Sequence, residues 1–279
     1  DTDSETDYIS QPSRVILSIE CTSERRDFCS LRLKIVNSIS CHEGGERDGD
    51  RCQQGDRTRI RETTESTERS TALHLCHLQE CRLSANVTHP EEVEAAKTIV
   101  EDTVGEQGLN LLINNAGVAK MEMFPNVTPE NLELHYKVNT EGPLLVLQAM
   151  LPSLERAAQL HAGTGGMSVS RAAVVNMTSM AGSIANTGFI FTQDLAVPSY
   201  KISKAALNMV MRVAAAKVKD KGILIVMMCP GWVKTDMGGR EQAVLEPEES
   251  IADMLKSFST LNESHHGTYM DRLATPYPF

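Results

Sequence analysis

From Leu73 onward the chain alternates short apolar runs with long amphipathic segments, and no other feature narrows its fold as far. Strand candidates at Leu73–Leu78, Leu109–Ile113, Ala172–Asn176 and Ile223–Met228 are short and apolar, as strands covered on both faces must be. Helix-start signals stand between them. Pro90, Glu91 and Glu92 open a helix near Thr88 that runs to about Val104, before Gly105. Thr128-Pro129-Glu130, an N-cap followed by proline, opens a second, extending to about Gln159 with a disturbance at Gly142-Pro143. A third runs from about Pro198 through Lys219 and stops before Gly222. Such alternation builds βαβ units, so the expected fold is α/β, a doubly wound parallel sheet with helices on both faces.

The texture changes near Thr71. Residues 1–70 are rich in charge, Ser, Thr and Arg, with apolar runs only at Val15–Ile19 and Leu31–Val36. They are expected to form an atypical or partly disordered N-terminal segment, followed by one domain over 71–279. The net charge of -10 argues against a nucleic-acid partner, since phosphate binding needs clustered Lys and Arg. No stretch reaches the roughly 18 to 20 apolar residues of a membrane span, and Asp1 to Asp7 are acidic, unlike a signal-peptide start. A soluble, cytoplasmic protein is expected; without an initiating Met, a removed upstream targeting segment stays open. Six cysteines, Cys21, Cys29, Cys41, Cys52, Cys76 and Cys81, lie in the first third, yet no Cys-x-x-Cys pair occurs. The nearest cluster, His74, Cys76, His77 and Cys81, lies beside a strand whose alternation would split the ligands between faces, so no metal site is expected. Glycines at His161–Met167 follow a helix and precede a strand, the reverse of a phosphate cradle, and read as an αβ loop.

The chemistry concentrates in Ser199-Tyr200-Lys201-Ile202-Ser203-Lys204, where Tyr200 and Lys204 stand four apart on one helical face. A phenol is a poor acid or base at neutral pH, and a nearby ammonium is expected to lower its pKa toward the working range. Upstream, Val174-Val175-Asn176-Met177-Thr178-Ser179 runs from a buried strand into hydroxyl residues, at the strand end where parallel sheets hold ligands. A hydroxyl there can donate to a carbonyl oxygen as charge develops on it; Ser179 is preferred over Thr178 and Ser183.

With Ile113-Asn114-Asn115-Ala116-Gly117, Lys137-Val138-Asn139-Thr140 and Pro230-Gly231-Trp232-Val233-Lys234-Thr235-Asp236-Met237 in the same order, the chain resembles the short-chain dehydrogenases/reductases over roughly 73–279. Its wording is closest to the C-factor-like (sniffer-like) carbonyl reductases in Cys229–Gly239 and in Gly267-Thr268-Tyr269 followed by Thr275-Pro276. The resemblance implies a Rossmann-type fold and NAD(P)(H)-dependent reduction of a ketone or aldehyde, with NADP(H) favoured over NAD(H). It implies that Tyr200 transfers the proton, Lys204 lowers its pKa and holds the nicotinamide ribose, Ser179 orients the carbonyl, and Asn139 supports a water relay. Asn114, Ala116 and Gly117 would line the cofactor's ribose side, and Asn86 would substitute for the residue that touches adenine. Pro230, Gly231, Val233 and Thr235 would form the nicotinamide segment, Val233 and Thr235 meeting the carboxamide. Phe189, Ile190 and Phe191 point to an apolar wall and a hydrophobic small-molecule substrate, or to ordinary packing.

One family element is missing from the sequence. The first strand should enter a Thr-Gly-x-x-x-Gly-x-Gly turn that opens a helix under the pyrophosphate, but Arg14–Ile19 is followed by Glu20–Asp27 with no glycine. Two explanations remain: an altered exon, frame or splice product joined to an intact reductase remainder, or a catalytically impaired variant acting as a non-enzymatic scaffold. Loss of the first strand and its helix would expose a sheet edge and favour a homo-oligomer.

Overall fold

The sheet has seven strands in the order β3-β2-β1-β4-β5-β6-β7. They are β1 (Ile16–Ile19), β2 (Leu31–Val36), β3 (Leu78–Cys81), β4 (Leu111–Asn114), β5 (Ala173–Met177), β6 (Leu224–Cys229) and β7 (Tyr269–Asp271). The computed structural model describes residues 86–163, 165–188 and 197–279 in full, together with the backbone of β1, β2 and β3. The expected order of residues 1–70 outside these strands, the side chains of His74, Cys76, His77 and Cys81, and the 189–191 wall lie outside the described residues.

β1, β4, β5, β6 and β7 pair in parallel, so the doubly wound parallel sheet holds where the site sits. Ile16–Ile19 pairs along β4, which therefore has a neighbour on each side. The open edge expected from a lost first strand does not arise. β2 departs from the parallel pattern, running antiparallel to both β1 and β3. Only residues 20–30 separate β1 from β2, and a parallel return needs a crossover of about a dozen or more residues, usually carrying a helix.

Helices α1 (Pro90–Val104), α2 (Pro129–Tyr136), α3 (Gly142–Leu160), α4 (Pro198–Val218) and α5 (Pro247–Phe258) alternate with the strands from β3 onward. Strand alternation sorts the core into two layers. Val174 of β5 and Ile225 and Met227 of β6 face the layer built by Val93, Ala96 and Val100 of α1, Met150 and Leu154 of α3, and Leu207 and Met211 of α4. Ala173, Val175, Leu224 and Val226 face the other, against which Met254 and Phe258 of α5 pack.

The first and third helices match their sequence signals within a residue or two. Thr128 caps α2 by accepting from the Asn131 N–H at 3.2 Å. The disturbance expected at Gly142-Pro143 is a π-turn just before it, Lys137–Glu141, between α2 and α3. β4, β5 and β6 begin one or two residues later than their apolar runs, whereas β3 starts only at Leu78, the last residue of the expected Leu73–Leu78 run, with 73–77 outside the described residues; Leu109 is fully buried, but its N–H donates to Ser153 O of α3 at 2.9 Å, outside the sheet ladder. Helix α5 and strand β7 are not among the expected elements, although α5 carries a helical signal in Pro247, Glu248 and Glu249 and in Ile251, Met254, Leu255 and Phe258 at i, i+3, i+4 and i+7; β7 is very short. No helix among the described residues is long and apolar enough to cross a membrane.

Gly108 sets the entry into β4. Its φ is +70°, and an added Cβ would lie 2.4 Å from Ser153 O and 2.5 Å from Ala157 N, both backbone atoms that cannot swing aside. Gly108→Ala is expected to destabilise the fold by roughly 3 kcal/mol or more in urea unfolding, combining backbone strain with overpacking. Gly163→Ala, where nothing lies within 4 Å, should stay within about 0.5 kcal/mol.

Candidate active site

The parallel register sets Asn114 of β4 opposite Asn176 of β5. The Asn114 Nδ2 donates to Asn176 Oδ1 at 2.8 Å, and both side chains are buried. Beyond this pair the chain leaves the carboxyl ends of the strands, where every predicted site segment except Asn86 and the helical Asn139, Tyr200 and Lys204 begins.

Asn139, at the centre of the π-turn, is fully buried. Its carboxamide takes both backbone groups of Val118, accepting from the N–H at 2.8 Å and donating to the carbonyl at 2.9 Å. It also donates to Ser203 Oγ at 2.9 Å, while Thr140 Oγ1 donates to Ser203 O at 2.9 Å. The loop after β4, the long helix and α4 are thereby joined one residue before Lys204.

Three hydroxyls near the end of β5 have different partners. Thr178 is buried and donates to Asn208 Oδ1 of α4 at 2.8 Å. Ser183 is buried and donates to Pro278 O at 2.7 Å. Ser179 is only partly buried; it caps a 3-10 turn by accepting from the Ala181 N–H at 3.1 Å and lies beside the Tyr200 phenol, whose pKa it acts to lower. Of the three, Ser179 alone is placed to share a ligand atom with Tyr200.

Tyr200 lies in the first turn of α4 with the Lys204 Nζ 5.7 Å from its ring centroid. Lys204 is buried and donates to Met177 O at 2.8 Å. The expected lowering of the tyrosine pKa is not what this arrangement gives: burial pushes the phenol up to about 12, against the lowering effect of its hydrogen bond with Ser179. The phenol is therefore protonated at neutral pH. Cys229, whose burial pushes its thiol up, adds to the rise in Tyr200.

Several contributors gave no sequence signal because their roles depend on contacts between distant elements. His135, fully buried, meets the Tyr200 ring edge-on at 6.4 Å. Its Nδ1 bonds Asn131 O at 2.8 Å, and its Nε2 accepts from the Lys120 N–H at 3.0 Å, which fixes a neutral tautomer. Burial of Glu122 opposes its charge, but hydrogen bonds from Asn131, Ser199 and the Thr128 backbone hold its carboxyl below the usual range. The Cys229 Sγ accepts from the Met180 N–H at 3.1 Å and the Gly231 N–H at 3.4 Å, linking the Ser179 turn to the segment after β6.

The residues fit one half of a nicotinamide dinucleotide. Asn114 Oδ1 is buried with no hydrogen-bond partner among the described residues. A Cβ at Gly117 would lie 3.3 Å from Asn139 Oδ1 and 3.6 Å from Lys204 Nζ, so glycine leaves space beside the ammonium. Pro230 O accepts from Ser250 Oγ at 2.7 Å, and Gly231 has φ +87° with Leu245 Cδ1 2.4 Å from a would-be Cβ. Val233 bridges to Leu245, and Thr235 Oγ1 accepts from the Gly238 N–H at 3.1 Å, so both belong to a formed turn beyond β6. Asn86, expected at the adenine rather than the nicotinamide, has its Oδ1 accepting from the Thr88 N–H and hydroxyl at 3.0 and 2.8 Å, capping the approach to α1. Among the described residues none supplies a counterpart for the phosphate half; residues 20–30, which contain no glycine, lie outside them.

Two outcomes separate scaffold from site. Thr178→Val strands the Asn208 oxygen and is expected to cost roughly 1–3 kcal/mol in denaturant unfolding, whereas Ser179→Ala should cost under about 1 kcal/mol. Burial lowers the His135 pKa below 6.5, so folding favours its neutral form. That stability is present above pH 6.5 and lost as pH falls through the folded-state pKa. His135→Gln should flatten this part of the acid unfolding profile; an unchanged profile would contradict the assignment.

The short chain dehydrogenase family profile matches residues 54–245. The C-signal protein of Myxococcus xanthus is 35% identical over 173 residues, covering 61% of this chain and 93% of that protein. Among solved structures, carbonyl reductase Sniffer of D. melanogaster superposes with a TM-score of 0.66 at 31% identity, covering 71% of this chain and 77% of its own. NADPH-bound carbonyl reductase from chicken fatty liver gives 0.63 at 38% identity, covering 71% of this chain and 76% of that one. With the profile spanning more than half the chain and the Asn139, Ser179, Tyr200 and Lys204 cluster assembled at the strand ends, the chain belongs to the short-chain dehydrogenase family of oxidoreductases.

Proposed function

We propose that this oxidoreductase reduces an apolar ketone or aldehyde to its alcohol with NADPH. The observation that carries the reading is the placement of the Tyr200 phenol, with the Lys204 ammonium 5.7 Å from its ring, beside the partly exposed Ser179 at the carboxyl end of β5; burial keeps that phenol protonated at neutral pH. A carbonyl oxygen between the two hydroxyls receives a hydrogen bond from each as negative charge develops on it. Tyr200 then gives its proton to that oxygen, and the Lys204 ammonium, 5.7 Å from the ring, stabilises the phenolate that remains. Asn139 keeps the surroundings of Lys204 in place, and a water relay beside it returns the proton.

A bound nicotinamide supplies the hydride. Asn114, Ala116, Gly117 and Lys204 would hold its ribose, and Pro230, Gly231, Val233 and Thr235 its ring. The choice of NADPH rests on the chicken carbonyl reductase, which is NADPH-bound. Preference for an apolar substrate rests on exposed side chains at successive strand ends: Met121, Met123 and Phe124 after β4, Ile184 after β5, Trp232 and Met237 after β6.

NADPH is expected to quench the fluorescence of Trp232, the only tryptophan, saturably. An apolar ketone should drive NADPH oxidation that falls at least about a hundredfold in Tyr200→Phe, the scale of a lost general acid. Absence of saturable quenching at millimolar NADPH would contradict the enzyme and favour a binding protein.

A further inference from the structure

The carbonyl of Ser179 accepts two hydrogen bonds, from the Gly182 N–H at 2.8 Å and from the Tyr269 hydroxyl at 2.6 Å. Tyr269 lies on β7, ninety residues along the chain, and is 1% exposed. Its ring packs at 5.3 Å from Tyr277 and 5.6 Å from Phe279. The same segment holds the Ser179 turn at two further points: Ser183 Oγ donates to Pro278 O at 2.7 Å, and the Ala185 N–H donates to Phe279 O at 3.1 Å. Arg212 of α4 stands over the Phe279 ring at 6.0 Å.

On its other contacts the turn has no slack. A Cβ at Gly182 would lie 3.0 Å from the Lys204 backbone and 3.0 Å from Asn208 Nδ2, so the turn sits directly on α4. A phenylalanine at 269 would bury nearly the same surface. What the hydroxyl adds is a fixed position for the residue whose side chain meets Tyr200.

We infer that Tyr269 is a positioning residue for the Ser179 hydroxyl, and that Tyr269–Phe279 is the strap that holds the Ser179–Ala185 turn against α4. This rests on the role proposed above for Ser179. Loosening the turn displaces the Ser179 hydroxyl relative to Tyr200, while the Tyr269 hydroxyl itself bonds the Ser179 carbonyl and none of the groups that would hold the nicotinamide.

The test compares Tyr269→Phe with Tyr277→Phe in the full chain. Hydrogen exchange at the amides of 181–183 should quicken about tenfold in Tyr269→Phe alone, as expected when one of a few local restraints is lost. With NADPH and an apolar ketone, kcat should fall roughly tenfold with KM for NADPH within about twofold, the signature of a misplaced catalytic group. In a Ser179→Ala background, Tyr269→Phe should reduce kcat no further, because it acts through that hydroxyl. Unchanged exchange at 181–183, or a further full loss of kcat in that background, overturns the inference. If the parent chain oxidises no NADPH, the proposed function fails and exchange alone decides the strap. If Tyr269→Phe does not fold, Ser183→Ala replaces it: faster exchange at 181–183 supports the strap, and unchanged exchange overturns it.

Discussion

The grip of the Asn139 carboxamide on Val118 and Ser203 is the interaction on which the rest of the site depends. Three elements remote in sequence meet there: the loop leaving β4, the π-turn between α2 and α3, and the first turns of α4. A π-turn adds a residue to the helical repeat, which turns Asn139 inward while letting the helix continue on both sides. A regular α-helix through 137–141 would rotate that carboxamide, leaving Val118 and Ser203 without their partner. Gly142 serves the same bend; a Cβ there would meet Val87 Cγ2 at 2.8 Å.

On this frame the reactive groups divide by solvent access. Thr178 and Asn208 bond each other, Ser183 bonds Pro278 and Ser203 bonds Asn139, all buried, so they rigidify the site. Ser179 and Tyr200 remain partly accessible, side by side. Lys204 is buried, with Met177 O fixing its ammonium. Burial raises the phenol and thereby keeps Tyr200 in the acid form, which suits delivery of a proton to a carbonyl oxygen.

Much of this was legible in the sequence, for reasons that differ by element. Short apolar runs located β4, β5 and β6 because both faces of those strands are buried. Tyr200 and Lys204 declared themselves through helical spacing, and Ser179 through its place at a strand end. Helix α5, absent from the expected elements, was legible in the same way, through Pro247-Glu248-Glu249 and the helical spacing of Ile251, Met254, Leu255 and Phe258, while its buried Ser250 and Ser257 serve Pro230 and Arg272. His135, Cys229 and Tyr269 were silent because each acts through a partner far along the chain. The antiparallel course of β2 was likewise hidden, although the short connection from β1 carried the clue.

The structure thus brings Asn139, Ser179, Tyr200 and Lys204 together beside a sheet whose first strand is followed in sequence, over residues 20–30, by a stretch without glycine. Whether hydride reaches a carbonyl at this cluster is most directly measured in a single turnover with NADPH deuterated at the transferable position of the nicotinamide ring. Mass spectrometry of the product should find an alcohol carrying one deuterium on the former carbonyl carbon. An undeuterated ketone recovered unchanged, with NADPH intact, would contradict the account.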